Sequence, residues 1–268
     1  DEAVTVRIVT EDEWGNACWN LGGEVKVSGW QEGKEVFNKT AAVSAQGWAV
    51  AVVSDIKATA GELEIRASMP QHPVVPQAQC FIHYDPSFAF PRIYYADLHV
   101  HSDDTVGTND TTYNLTYGRD VAGLDVLGYT ANDFQITKAR WDKAVELIGT
   151  INKPGEFVCY PGTEWCGSSC AGGDHNVIFL KDKTPMFPFD KNGTVCRSFE
   201  WNEDMKSQTI EPGAWPLEEL WATYIDDPEG HLLMPHVGGR RAILDWHHPV
   251  LERLAEIRLL IGNTTAHE

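Results

Sequence analysis

A small all-β sandwich followed by an α/β layer or barrel is the fold class that the sequence predicts, on three observations. Apolar residues alternate with period two through the first third of the chain. Beyond that, strand-length apolar runs take turns with helical stripes. Two Pro-bearing stretches, Met69 to Pro76 and Asp85 to Pro91, separate the regimes. The boundary is therefore expected near residue 88, with 1–88 an Ig-like sandwich and 89–268 the α/β domain.

In the first domain Val4, Val6 and Ile8 share one face of a strand, and Trp14-Gly15-Asn16 makes a turn. Val25 and Val27, Trp48 to Val53, and Leu63, Ile65 and Ala67 repeat the alternation between Gly-bearing turns, and Cys80 to Tyr84 ends it. Several short strands with no helix between them are the pattern of a sandwich. In the second domain Ile93 to Val100 reads as a strand, Tyr113 to Ala122 as a helix, and Val126 to Thr130 as the next strand behind Gly123. Thr137 is placed to cap a helix whose apolar stripe is Trp141, Ala144, Val145, Ile148 and Ile151, ended by Pro154-Gly155. Phe157 to Pro161 and Asn176 to Leu180 read as buried strands, and Leu217, Leu220, Trp221 and Tyr224 as a helical stripe. His231 to Pro235 and Ala255 to Ile261 read as two further strands.

Composition narrows the partners. The 268 residues carry 21 Lys and Arg against 39 Asp and Glu, a formal charge of −18. That excess, with no run of Lys or Arg, argues against nucleic acid and anionic membrane surfaces. No apolar run approaches the roughly 20 residues of a membrane-spanning helix. The six cysteines (Cys18, Cys80, Cys159, Cys166, Cys170, Cys196) are too few for a disulfide scaffold but enough for two or three bridges. Cys166-Gly-Ser-Ser-Cys170 is expected to be a disulfide-bearing loop, since it lacks the spacing of a zinc knuckle. Sequons at Asn38, Asn109, Asn114, Asn192 and Asn263, with the cysteines and the acidity, tilt the expected compartment towards export, extracellular or periplasmic. The start at Asp1 fits a removed leader or an excerpt and decides neither.

The sharpest local signal is Asp97-Leu98-His99-Val100-His101-Ser102 at the end of an expected strand. Residues i and i+2 of a strand face one side, so both imidazoles can reach one cation, with Asp97 and Ser102 placed to orient them. Later strand ends deliver Glu164 in Gly-Thr-Glu-Trp, His175 in Gly-Gly-Asp-His-Asn, and His236 in Met-Pro-His-Val-Gly-Gly. Each donor stands where an apolar strand runs into a Gly-bearing loop, the place where α/β folds gather catalytic groups. A donor set of His and carboxylate suits zinc, manganese or iron better than calcium or magnesium.

These segments, together with Tyr117-Gly-Arg-Asp-Val-Ala-Gly-Leu-Asp-Val126, resemble the PHP (polymerase and histidinol phosphatase) superfamily, and more narrowly its branch with a β-sandwich before the first His-X-His. The resemblance covers roughly residues 92 to 268 by motif. It implies a distorted (β/α)7 barrel that holds one to three divalent transition metal ions and hydrolyses phosphoesters. By matching position it makes His99, His101, His175 and His236 ligands and Glu164 a bridging carboxylate. Two departures stand out. Thr130-Ala131-Asn132-Asp133 replaces the family's Thr-Asp-His, leaving an oxygen of Asn132 or Asp133 in place of an imidazole. The family's last Asp-X-His pair has no counterpart before Glu268.

The expected chemistry is hydrolysis of a small-molecule or glycan-linked anionic ester, in which a cation acidifies water and polarises the ester. Asp133 or Asp104 could pass protons, and Arg240 beside Arg241 could clamp the anionic group, although each also has an ordinary role as a loop carboxylate or a salt-bridge partner. Asp103, and Trp246-His247-His248 before Pro249, stay open between a site role and a structural one. Two rival classes are a degenerate module that binds a ligand without turnover, and a glycosidase using Glu164 with Asp133, which leaves the histidines unexplained. Oligomeric state is not legible.

Overall fold

A computed structural model of the chain describes residues 3–85, 87, 93–133, 135–167, 172–181, 216–236 and 242–256. The chain divides into two compact units, residues 1–94 with 117–123 and residues 95–116 with 124–268.

The first unit is built from strands β1 (Val4–Val9), β2 (Glu24–Gln31), β3 (Lys34–Ala42), β4 (Trp48–Val53), β5 (Gly61–Ser68) and β6 (Ala78–Tyr84). Strands β3-β2-β5-β6 make one antiparallel sheet, and β1 pairs antiparallel with β4. Alternation decides which side faces in. Val25, Val27, Leu63 and Ile65 of the larger sheet join Ala49, Ala51 and Val53 of the smaller in one buried cluster, while Val50 and Val52 between them point to solvent. Each fully buried Val or Leu contributes about 1.5–3 kcal/mol. Strand β3, absent from the sequence reading, is polar along most of its length. Its anchor is Phe37, whose ring fills the space beside Gly29, next to a register shift at Gly29/Trp30 where any Cβ would collide with that ring.

The second unit overturns the (β/α)7 barrel. Its strands β7 (Ala96–Val100), β8 (Val126–Asn132), β9 (Val158–Trp165), β10 (His175–Phe179) and β11 (His231–Pro235) form one sheet in the order β11-β10-β9-β8-β7. Only β7, β8 and β9 pair in parallel; β10 runs antiparallel to both β9 and β11. Three helices occur among the described residues, α1 (Thr111–Asp120), α2 (Lys138–Ile151) and α3 (Pro216–Tyr224). The reason is connection length. A parallel crossover needs roughly a dozen residues or more, and the link from Trp165 to His175 is shorter, so the chain returns as a hairpin. The result among the described residues is an open, mixed sheet rather than a closed parallel one. Nor do Ala255 and Glu256 begin a strand: this segment lies beside β11 through Leu233 N–H to Leu251 O (3.2 Å) and Glu256 N–H to Pro235 O (3.1 Å). Residues 257–261 of that expected strand lie outside the described residues.

Helix α2 is capped by Thr137, whose hydroxyl accepts from Arg140 N–H, and buries Trp141, Ala144, Ile148 and Ile151 on the sheet's core. Close approach fixes Gly162 in β9, where a Cβ would stand 2.6 Å from Val177 O and 3.0 Å from Tyr129 O. No helix is long and apolar enough to cross a membrane among the described residues.

Candidate metal centre

Strand direction brings the site together. Strands β7, β8, β9 and β11 all finish at the edge where β10 begins, so the ends carrying His99 and His101, Asn132, Glu164 and His236 share one rim with the start of β10. A register shift between Asp97 and Val100 puts an extra residue into β7, and such bulges re-aim side chains beside sites. His99 and His101 consequently meet, with their Nε2 atoms 3.0 Å apart.

Glu164, 4% exposed, is the centre of the cluster. Its Oε2 lies 3.2 Å from His101 Nε2 and 3.9 Å from His99 Nε2, and its Oε1 lies 3.5 Å from His236 Nε2. His99, Glu164 and His236 each offer a ligand atom within 4.8 Å of the others. Donors held 2.0–2.2 Å from one ion stand about 3.0–3.5 Å apart along a polyhedron edge; the His101 and His236 contacts to Glu164 have that spacing, and the 3.9 Å His99 contact is longer. Behind the rings stands Glu256, unforeseen in the sequence. It lies 3.3 Å from His99 Nδ1 and also bonds His236 Nδ1, which turns the Nε2 atoms of both rings towards Glu164. A carboxylate on the far nitrogen is the usual support of a metal-binding imidazole.

The electrostatics shift three groups of the cluster, His99, Glu164 and Glu256. Burial lowers the His99 pKa, with the charges of His101 and His236 adding to it and those of Glu164 and Glu256 only partly opposing. Burial alone would raise Glu164, but the hydrogen bond from His101 and the charges of His101, His99 and His236 outweigh it and hold the carboxyl below its usual range. Glu256 is lowered in the same way, burial being outweighed by His236 and His99.

Glu164 also belongs to a second group, with Cys166 and Asp174, whose ligand atoms likewise lie within 4.8 Å of one another. Cys166 is a free thiol, so the expected disulfide is not formed from it; Cys18, Cys80 and Cys159 are free as well, and Cys170 and Cys196 lie outside the described residues. Burial, then the charges of Asp133 and Glu164, pushes the Cys166 thiol far up. Asn132 faces this group, its Nδ2 2.5 Å from Glu164 Oε2 and 3.2 Å from Cys166 Sγ.

Other expected residues stand apart. His175, on the strand face opposite the one Asn176 shares with Glu164, bonds Gly173 O through Nδ1 (3.0 Å) and lies 3.3 Å from the buried Glu252 carboxylate. Glu252 in turn accepts from Trp221 Nε1 (2.5 Å) and His248 N–H (3.0 Å), and His247 bonds its carbonyl, which gives Trp246-His247-His248 a structural role. Asp133 lies behind Cys166, accepting from its backbone N–H at 3.3 Å. Asp104 accepts from Thr111 Oγ1 (2.6 Å) and Tyr129 Oη (3.1 Å), and Ser102 bonds Thr111 rather than a histidine ring. Asp97 accepts from the His99 backbone N–H at 3.0 Å. Asn114, one of the sequon asparagines, donates its amide to His101 O at 2.8 Å. Arg240 and Arg241 lie outside the described residues.

Neither the protein-family models nor the curated proteins match this sequence. Among solved structures, Bifidobacterium dentium beta-glucuronidase complexed with coumarin-3-O-glucuronide is similar at 11% identity and a TM-score of 0.22, over 60% of this chain and 30% of that one. A similarity that slight assigns neither fold nor activity.

Proposed function

We propose that the chain is a metal-dependent hydrolase, exported from the cytoplasm, that cleaves a small or glycan-linked anionic ester of the phosphoester class. The observation that carries this reading is the paired use of each imidazole: Glu256 takes Nδ1 of His99 and His236, and the Nε2 atoms converge on Glu164. His99, His101, His236 and Glu164 would hold the cation, and the mixed nitrogen and oxygen set favours zinc, manganese or iron. A cation in that place supplies Lewis acidity and an acidified water. Glu256 keeps the proton of each ring on Nδ1, so the Nε2 lone pairs stay available. The motif resemblance to the PHP superfamily supports the reaction class and extends to chemistry, not to the closed barrel. Asp133 accepts from the Cys166 N–H and Asp104 from Thr111 and Tyr129, so the structure gives these two aspartates hydrogen-bonding roles away from the histidine rings.

Asn132 favours a second reading, a ligand-binding module without turnover, because its amide N–H occupies the Glu164 oxygen that a cation would use. Hydrolysis of a panel of phosphomonoesters, headed by p-nitrophenyl phosphate, separates the two. The hydrolase reading expects turnover that EDTA abolishes, that zinc or manganese restores, and that His99→Ala lowers by about 100-fold or more. A folded chain that binds zinc and turns over no ester supports the module. Turnover indifferent to chelation overturns both.

A further inference from the structure

Strand β6 is one edge of the four-stranded sheet of the first unit, and no strand among the described residues pairs with its outer side. An edge strand offers unpaired N–H and C=O groups to any other strand, so proteins normally block it with charges, proline or a bulge. The opposite edge, β3, follows that rule: it carries Lys34, Glu35 and Lys39 and lies beside the register shift at Gly29/Trp30. Strand β6, Ala-Gln-Cys-Phe-Ile-His-Tyr, contains no Lys, Arg, Asp, Glu or Pro, and it pairs with β5 from Gly61 opposite Tyr84 to Ala67 opposite Ala78 without a shift. Ile82 and Tyr84 hold it to the buried cluster, while Ala78, Gln79, Cys80, Phe81 and His83 are exposed, Phe81 at 55%. Seven residues, about 24 Å of regular uncharged edge, are left ready for pairing.

We propose that β6 pairs antiparallel with β6 of a second copy of this chain, about a two-fold axis at Cys80, joining two four-stranded sheets into one. Charge selects a copy as the occupant. Each chain carries a formal −18, so two copies repel wherever carboxylates face one another. Strand β6 set against itself brings none together. A foreign strand is selected by charge or by side-chain pockets, and this edge has no charge to select with. A two-fold antiparallel pair also closes, because each edge occupies the other. Side-chain size sets the axis. Cys80 and Ile82 stand opposite Ile65 and Leu63, on the face that packs on the core. With Cys80 on the axis, Ile82 of each copy covers the exposed Ala78 of the other, and Phe81 lies opposite Gln79, large against small on both faces. The two Cys80 residues are free, exposed thiols, and at the axis their Cα atoms stand about 4.5–5.5 Å apart, inside the 4.4–6.8 Å reach of a disulfide.

Light scattering on the full chain in reducing buffer, over a range of concentrations, tests the pairing. A dimer is expected, and Phe81→Lys, which puts like charges on diagonal neighbours across the axis, should raise its dissociation constant by about tenfold or more. Circular dichroism checks the fold, and if Phe81→Lys does not fold, Gln79→Lys on the same exposed face decides in its place. Oxidised glutathione tests the axis. It takes two electrons and two protons from a pair of Cys80 thiols and leaves as two reduced molecules, so peptide mapping should find Cys80 joined to Cys80. Cys80→Ser should remain a dimer in reducing buffer and lose that link. A parent that is monomeric at every concentration overturns the proposal, as does a dimer that the folded lysine variant leaves at full strength. A dimer that yields no Cys80–Cys80 peptide overturns it as well.

Discussion

Glu164 and Glu256 approach the same histidines from opposite sides, and the two carboxylates do different work. Glu164 faces the Nε2 atoms and would touch the cation, whereas Glu256 touches the Nδ1 atoms and sets ring orientation. Glu256→Gln should therefore lower zinc affinity by about 10–100-fold while leaving the fold intact, as competition with a chromogenic chelator would show. Equal affinity in the variant would remove Glu256 from the site. Glu252 gives a prediction in pH. Burial would raise its pKa, but His175, the His248 N–H and the Trp221 indole outweigh burial and lower it. A carboxyl lowered in the fold contributes stability above its unfolded value, about 4.3, and loses it as pH falls through the lower folded value. Glu252→Gln should therefore cost about 1–3 kcal/mol in urea unfolding at pH 7, a gap that closes towards the acid side of pH 4. A gap independent of pH would contradict the assignment. At this scale the His-X-His and the Glu164 and His236 strand ends were legible because each sits in a motif with its own punctuation. Glu256, inside an ordinary Leu-Ala-Glu-Ile-Arg run, carried no such mark.

Helix α2 packs on strand β9, which carries Glu164. The cap that Thr137 places on α2 is worth about 1 kcal/mol, so Thr137→Ala should lower the unfolding free energy by that amount, seen as a lower urea midpoint at an unchanged slope. Gly162→Ala places a Cβ against two carbonyl oxygens in the strand that carries Glu164; about 1–3 kcal/mol is expected from the forced shift. A variant as stable as the parent would mean that the sheet yields more than its close packing implies. Element type was readable where one period dominates: the Trp141 to Ile151 stripe is α2, and the Val25, Val27 and Leu63, Ile65 alternations are β2 and β5. Strand β3 escaped because its lone buried aromatic, Phe37, gives no alternation. Strand direction escaped for another reason. A buried parallel strand and a buried antiparallel strand are both short apolar runs, and only the length of the link between β9 and β10 distinguishes them.

For the whole molecule, the −18 charge sets the surface for most of its carboxylates, and in the proposed reading a few of them serve a cation. Those few are Glu164, which faces the Nε2 atoms, and Glu256 behind the rings, both within one unit. Zinc that binds only the folded state stabilises that unit by about 2.7 kcal/mol at a hundredfold excess over Kd, and EDTA should reverse the shift. In calorimetry the gain should fall on one transition only, that of the unit carrying the rim. The central claim, a cation held at Glu164, is tested most directly by the zinc content of the purified chain after loading and dialysis, measured by elemental mass spectrometry beside Glu164→Ala. The account predicts a parent that retains zinc and a folded variant that retains none; a folded parent free of zinc, or a variant that keeps as much as the parent, would contradict it.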